Sequence, residues 1–203
     1  MQDFSQRGEQ AAILEAVKAV PLDGPPKFLD VGAADGVTLS NTHALFLLGW
    51  SGVVVDASPY AIAALVENYR QHAGQRIEIV DMAVGDPGLR RFHLTRDMVS
   101  TLNPANHDLW KDAAAFTPTN KVVVAPRTAW GLLGALGPFL VVSIDVEGGS
   151  REMFEAMPPS ELGAEVVIVE HDGKIEEVAA EGRRRGFWCA LTTAENCVLR
   201  RNP

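Results

Sequence analysis

The sequence predicts an α/β fold built on a largely parallel sheet, and three observations carry that prediction. Short apolar runs at 28–31, 53–55 and 77–80 alternate with helical patterns at 37–48 and from residue 59 onward. These strand–helix repeats fit into about 55 residues, so the connections are crossovers that return the chain in the same direction. The strand runs, Val53-Val54-Val55 above all, are continuously apolar, as expected of strands buried on both faces.

Each element has its own justification. Residues 8–20 set Ile13, Leu14 and Val17 at helical spacing, with Val20 close to the same face, and this N-terminal helix is expected to cover one side of the sheet or the mouth of a site. Pro21, Gly24, Pro25 and Pro26 end it. After the first strand comes Gly32-Ala33-Ala34-Asp35-Gly36, followed by a helix with Leu39, Phe46 and Leu47 on its apolar stripe. The second strand ends in Asp56. Ser58 and Pro59 then supply an N-cap and a first helical position, and Ile62, Leu65, Val66 and Tyr69 line the core face. Residues 85–125 are polar and irregular, with Pro87, Pro104 and Pro118, and read as an insertion or lid above the sheet. Regular pattern returns with a strand at 122–124 and a helix at 128–136 capped by Thr128. A strand at 139–146, a helix at 150–157 stopped by Pro158-Pro159, a strand at 166–169 and a helix at 174–185 follow. The segments 187–191 and 197–201 read as a terminal antiparallel hairpin.

At 203 residues the chain has the length of one domain with a sizeable core. Its net charge of −8 excludes a general nucleic-acid binder, which needs a basic face to neutralise phosphates. The basic run Arg183-Arg184-Arg185 sits where it complements a helix dipole. No apolar stretch is long enough for a membrane span, and the first residues lack the pattern of a signal peptide. Cys189 and Cys197 are too few for a disulfide framework and read as small apolar side chains. A reducing cytoplasm is the expected location.

The chemistry is expected outside the carboxyl ends of the parallel strands, where open α/β sheets bind ligands. Five predicted strands carry acids there: Asp30, Asp56, Asp81, the pair Asp145 and Glu147, and the cluster Glu170-His171-Asp172. Asp56 lies 24 residues after Gly32, placed to accept from both hydroxyls of a ribose. The turn lacks the middle glycine of G-x-G-x-x-G, which weighs against a dinucleotide pyrophosphate. It suits a nucleoside that ends in an amino-acid group, as S-adenosylmethionine does. There is also no Tyr-x-x-x-Lys pair, which weighs against a nicotinamide oxidoreductase.

Several motifs occur in a telling order. They are the stretch from Phe28 through Asp30 and Gly32 to Gly36, Ser40-Asn41-Thr42, Gly49-Trp50-Ser51-Gly52, Ala83-Val84-Gly85-Asp86, Ser100-Thr101-Leu102, and Ile144-Asp145-Val146-Glu147-Gly148. In this order the chain resembles the FkbM family of class I S-adenosylmethionine-dependent methyltransferases, over nearly its whole length. The resemblance implies a Rossmann-like, seven-stranded, mostly parallel sheet in the order 3-2-1-4-5-7-6, with helices on both faces and the last strand antiparallel. It also implies O-methylation of a glycan, sugar or polyketide-type small molecule. Many relatives carry Lys two residues before the Asp of the Ile-Asp-Val-Glu-Gly motif, where this chain has Ser143.

Roles follow as expectations. Asp30 orients the turn and reaches the methionine ammonium, while Gly32, Ala33, Asp35 and Gly36 form the turn. Thr38 and Asn41 help hold the methionine carboxylate at the helix start. Asp56 takes the ribose and Ala57 borders the adenine. Asp81 accepts from the adenine amine, Met82 packs on the ring, and Ser100 belongs to the same cofactor-binding set. Asp145, Glu147 and His171 are the candidate catalytic residues. Asp145, Glu170 and His171 are candidates for a divalent metal such as Mg²⁺. His107, in the insertion, is placed to touch substrate. The competing reading is a non-catalytic S-adenosylmethionine-binding module.

Overall fold

In the computed structural model, residues 2–22, 24–70, 72, 76–85, 87–95, 98–105, 108, 119–126 and 129–203 are described. Asp86, His107 and Thr128 lie outside them. In chain order the elements are α1 (Glu9–Lys18), β1 (Lys27–Val31), α2 (His43–Leu47), β2 (Ser51–Asp56), α3 (Pro59–Arg70), β3 (Ile77–Asp81), β4 (Gly88–Leu94) and β5 (Thr119–Ala125). There follow α4 (Ala129–Gly134), β6 (Val141–Ile144), α5 (Ser150–Ala156), α6 (Pro159–Leu162), β7 (Val166–Glu170), α7 (Ile175–Arg184), β8 (Phe187–Thr192) and β9 (Asn196–Arg201).

The main sheet has seven strands in the order β3-β2-β1-β6-β7-β9-β8. Without the small β4–β5 ribbon this is 3-2-1-4-5-7-6, the order the resemblance implies. β1, β2, β3, β6 and β7 run parallel, and β9 lies antiparallel to both β7 and β8. The sheet is Rossmann-like, and successive side chains feed two cores. Leu29, Val31, Val53, Val55, Val142 and Val167 join one with Leu133, Phe154 and Val178, from α4, α5 and α7. Phe28, Val54, Val141 and Ile168 join the other with Ile13, Phe46, Leu65 and Tyr69, from α1, α2 and α3. Helices therefore cover both faces.

Three differences from the sequence reading matter. The helix predicted at 37–48 begins only at His43, because Gly36 (φ 74°) and Leu39 (φ 56°) are left-handed and side chains take the turn's N–H groups. The insertion contains the antiparallel ribbon β4–β5, outside the main sheet. A one-turn helix, α6, starts at Pro159, where the sequence suggests only a stop; proline's fixed φ suits a first helical turn. None of the helices among the described residues is long and apolar enough to cross a membrane.

Candidate functional site

The strand order reverses between β1 and β6, and the site forms above this switch point. Its floor is main chain. Gly32 and Ala33 donate N–H bonds to the Val55 carbonyl (2.9 and 3.1 Å), Asp145 N–H to Val31 (2.9 Å), and Met82 N–H to Asp56 (2.9 Å). Gly32 has φ 84°, and a Cβ there would meet the Asp145 carbonyl oxygen at 1.6 Å, so this turn admits only glycine.

A cavity of 230 Å³ opens above the floor. Asp56 lies at its wall, with one carboxylate oxygen accepting from Ala34 N–H at 3.0 Å and the other from Ser58 N–H at 2.8 Å. Burial raises the Asp56 carboxyl above its ordinary value, against those two bonds. Gly32, Asp35, Ala57, Met82 and Ser100 from the cofactor-binding set also line the cavity, as do Asp145 and Glu147. Phe92, Met98 and Leu102, from the insertion, close its apolar side, and Tyr60 joins from α3. No Lys, Arg or His is among the described lining residues.

Other expected residues are placed differently. Asp30 is 4% exposed beneath the turn, accepting from the Thr42 hydroxyl at 2.6 Å and from Ser143. Burial pushes its carboxyl up to about 6; Thr42 opposes the rise and the Asp145 charge adds to it. Ser143, where the resemblance to the FkbM family leads one to expect Lys, therefore faces Asp30 beneath the site. Ala33 is buried, and the Gly36 carbonyl accepts from the Tyr69 hydroxyl at 2.9 Å. Asp35 takes the Val37 and Thr38 N–H groups (2.8 and 2.7 Å) and the Thr38 hydroxyl. A carboxylate of the chain thus fills the place expected for a ligand carboxylate, and Thr38 and Asn41 do not line the cavity. Asp81 is exposed and also lies off the lining, because it ends the outermost strand of the sheet.

His171 is buried and away from both cavities. Its Nδ1 accepts from Gly173 N–H at 3.0 Å, so Nε2 is the protonated nitrogen and donates to the Thr193 carbonyl at 3.2 Å. With both nitrogens engaged it holds the β8–β9 turn and is not poised as a base. Nor does it join the metal candidates: Asp145, Glu147 and Glu170 are the carboxylates whose oxygens lie within 4.8 Å of one another. Within that cluster, burial and then the charges of Asp145 and Glu147 push Glu170 far above the carboxylate range. The Glu170 and Asp145 carboxyls hydrogen-bond each other, an arrangement that favours a proton held by the pair. Burial raises Asp145 too, with the Glu170 bond opposing.

A second cavity, of 360 Å³, shares Gly32, Ala34, Met98, Asp145 and Glu147 with the first. Its other walls are Gln6, Arg7, Leu39, Val99, Glu170 and Glu195. Arg7 and Glu195 pair at 3.3 Å. Sequence reasoning misses both, since neither lies in a periodic segment or motif. Phe92 was findable, as an aromatic in a short strand of the insertion.

Comparison with known proteins bears on the fold. Neither a family model nor a curated protein matches the chain. Among solved structures, it is similar to ribosomal protein L11 methylase from Lactobacillus delbrueckii subsp. bulgaricus, with TM-score 0.50 and 14% identity over 95% of this chain and 77% of that one. It is likewise similar to a chain of a fibrillarin/Nop5p complex, with TM-score 0.50 and 14% identity over 98% and 84%. Methyltransferase FkbM from Methylobacillus flagellatus matches at TM-score 0.48 and 11% identity over 90% and 45%, a score too low to carry an argument. At these identities the similarity establishes one thing: the chain has the Rossmann-like fold that methyltransferases use.

Proposed function

We propose that this chain is an S-adenosylmethionine-dependent O-methyltransferase of the FkbM type, acting on a hydroxyl of a glycan, sugar or polyketide-type small molecule. The observation that carries the reading is the charge of the first cavity. It lies at the switch point of the sheet, where nucleosides bind in this fold class, and its described walls hold Asp35, Asp56, Asp145 and Glu147 with no cationic side chain. A pyrophosphate would be repelled there, whereas a sulfonium would be attracted. The apolar side built by Met82, Ala83, Phe92 and Leu102 suits a purine. The motif order in the sequence supports the narrower family, and the fold shared with a named methylase supports only the broader methyl-transfer reading.

When bound, S-adenosylmethionine supplies an electrophilic methyl carbon on a sulfonium sulfur that leaves with the C–S electron pair. Asp56 lies at the cavity wall with its carboxylate already oriented by main-chain N–H groups, and it accepts from the ribose hydroxyls. Asp145 faces both cavities and takes the proton released as the acceptor oxygen bonds the methyl carbon. The hydrogen bond between the Glu170 and Asp145 carboxyls holds Asp145 in place. The insertion excludes water above the reacting atoms. It is anchored there by the Thr101 hydroxyl donating to the Glu147 carbonyl at 2.6 Å and by the Asn103 amide donating to Gly148 at 2.8 Å.

Titration calorimetry with S-adenosylhomocysteine and NAD tests the reading. S-adenosylhomocysteine binds in the micromolar range or tighter, and NAD does not bind. The reverse outcome sinks the proposal.

A further inference from the structure

We propose that Gln6 is a specificity-determining residue of the second cavity, presenting side-chain amide N–H donors to an uncharged oxygen that the methyl acceptor carries beside its reacting hydroxyl. The proposal rests on the methyl-transfer reading and adds to it the group that selects the acceptor. The second cavity shares Gly32, Ala34, Met98, Asp145 and Glu147 with the first, so a molecule seated in it is in reach of anything held there. Its charged walls are already engaged. Arg7 pairs with Glu195 at 3.3 Å, and the Asp145 and Glu170 carboxyls hydrogen-bond each other. What the wall adds for recognition is a neutral group.

Gln6 lies in the segment before α1, and its amide has a fixed sense. The chain of hydrogen bonds that fixes it starts at Glu9, fully buried at the beginning of α1. Burial alone would raise the Glu9 carboxyl, but its hydrogen bonds hold it below the ordinary value, so at neutral pH it can only accept. The Asn196 side chain, also fully buried, must therefore turn its nitrogen toward Glu9, and Nδ2 donates there at 3.2 Å. The second hydrogen of that nitrogen goes to Gln6 Oε1 at 2.7 Å. A reversed Gln6 amide would set donor against donor, so Oε1 faces Asn196 and Nε2 is turned away from it. Nε2 bonds to no described residue, and Gln6 lines the cavity. The Thr193 hydroxyl and the Arg7 N–H also donate to Glu9, at 2.6 and 2.7 Å, and keep the anchor of this chain in place. A hydroxyl or carbonyl oxygen of a bound molecule completes the amide. An ammonium cannot accept from it, and a carboxylate would be set beside Asp145 and Glu147.

Glucose, N-acetylglucosamine and mevalonolactone, uncharged hydroxyl compounds that each carry further oxygens, are the probes. They are titrated by NMR against isotope-labelled protein saturated with S-adenosylhomocysteine. At least one is expected to bind at millimolar concentration or below and to shift the Gln6 side-chain amide signal, which the Gln6→Leu spectrum identifies by its loss. Gln6→Leu should weaken that probe about threefold to tenfold, the worth of a neutral hydrogen bond. Gln6→Glu keeps an oxygen for Asn196 but loses the donors, and should weaken the probe at least as much. Both variants should hold S-adenosylhomocysteine as the parent does and melt within a few degrees of it. Parent-like probe binding by both variants, no binding of any probe, a bound probe that leaves the Gln6 signal unmoved, or an equal loss of probe and S-adenosylhomocysteine affinity overturns the proposal. Failure of S-adenosylhomocysteine to bind the parent strikes the methyl-transfer reading instead, and the probes titrated without it still test Gln6.

Discussion

Asp56 and Asp145 sit at the carboxyl ends of β2 and β6, the two strands that flank β1, yet their surroundings give them different work. Asp56 is fixed by two main-chain N–H groups and borders only the first cavity, whereas Asp145 lies where the two cavities meet. Asp56→Asn is therefore expected to weaken S-adenosylmethionine and S-adenosylhomocysteine alike by about tenfold to a hundredfold, the worth of one or two charge-assisted hydrogen bonds. Asp145→Asn should weaken S-adenosylmethionine alone, because only that molecule carries the sulfonium charge. Calorimetry on both variants checks the pair, and equal losses in Asp145→Asn would remove Asp145 from the sulfonium. Both residues were legible in the sequence, because an acid that ends a buried strand marks the binding edge of the sheet. Asp81 obeys the same rule but is exposed and off the lining of the cavity, since β3 is the outermost strand. His171 stands apart for another reason: Gly173 occupies its Nδ1, and its Nε2 partner, the Thr193 carbonyl, comes from a distant turn that no local pattern announces.

At the level of elements, the turn after β1 depends on α3 more than on α2. The Tyr69 hydroxyl reaches across from α3 to the Gly36 carbonyl, and the Asn68 side chain donates to the Asp35 carbonyl at 2.8 Å. The tyrosine ring also lies where a Gly36 Cβ would stand, 2.7 Å away. Tyr69→Phe is expected to cost about 1 kcal/mol, as a buried hydrogen bond to a carbonyl does, and to loosen nucleoside binding severalfold. Chemical denaturation with a binding titration measures both, and unchanged values would mean that α3 does not clamp the turn. Apolar periodicity made α3 legible. It gave α2 the wrong start because it cannot see Asp35 and Ser40 capping the residues before His43. Local pattern marks short strands at 90–94 and 122–124 but not that they pair: β4 and β5 meet across residues 95–118, beyond the reach of any local signal.

Over the whole molecule, burial raises Asp30, Asp56, Asp145, Glu170 and Asp172 above their ordinary values, while Glu9 is lowered: burial would raise it, but its hydrogen bonds prevail. A carboxyl raised by folding binds more protons in the folded state than in the unfolded state, so stability falls as pH rises between its two pKa values. For Asp30 that window runs from 3.8 to about 6 and corresponds to roughly 3 kcal/mol of lost stability above it. The protein is therefore expected to melt at a higher temperature at pH 5 than at pH 7.5, with Asp30→Asn flattening the difference. A Tm that climbs with pH over this range would contradict the buried-acid picture. The parallel strands and their crossovers were legible in the residue pattern, whereas the seven-strand order came from the resemblance to the FkbM family and matches the sheet.

The floor of the site, where Gly32, Ala33, Asp145 and Met82 N–H groups meet the carbonyls of neighbouring strands, carries almost no side-chain information. Gly32 apart, whose place admits no side chain, such a floor is indifferent to most substitutions. Selection can then rewrite the walls while the geometry beneath them persists. That is how a fold can be shared at 14% identity, and why, under the proposed methyl transfer, changes of acceptor should be sought in Gln6, Arg7, Val99 and Glu195 rather than in the turn.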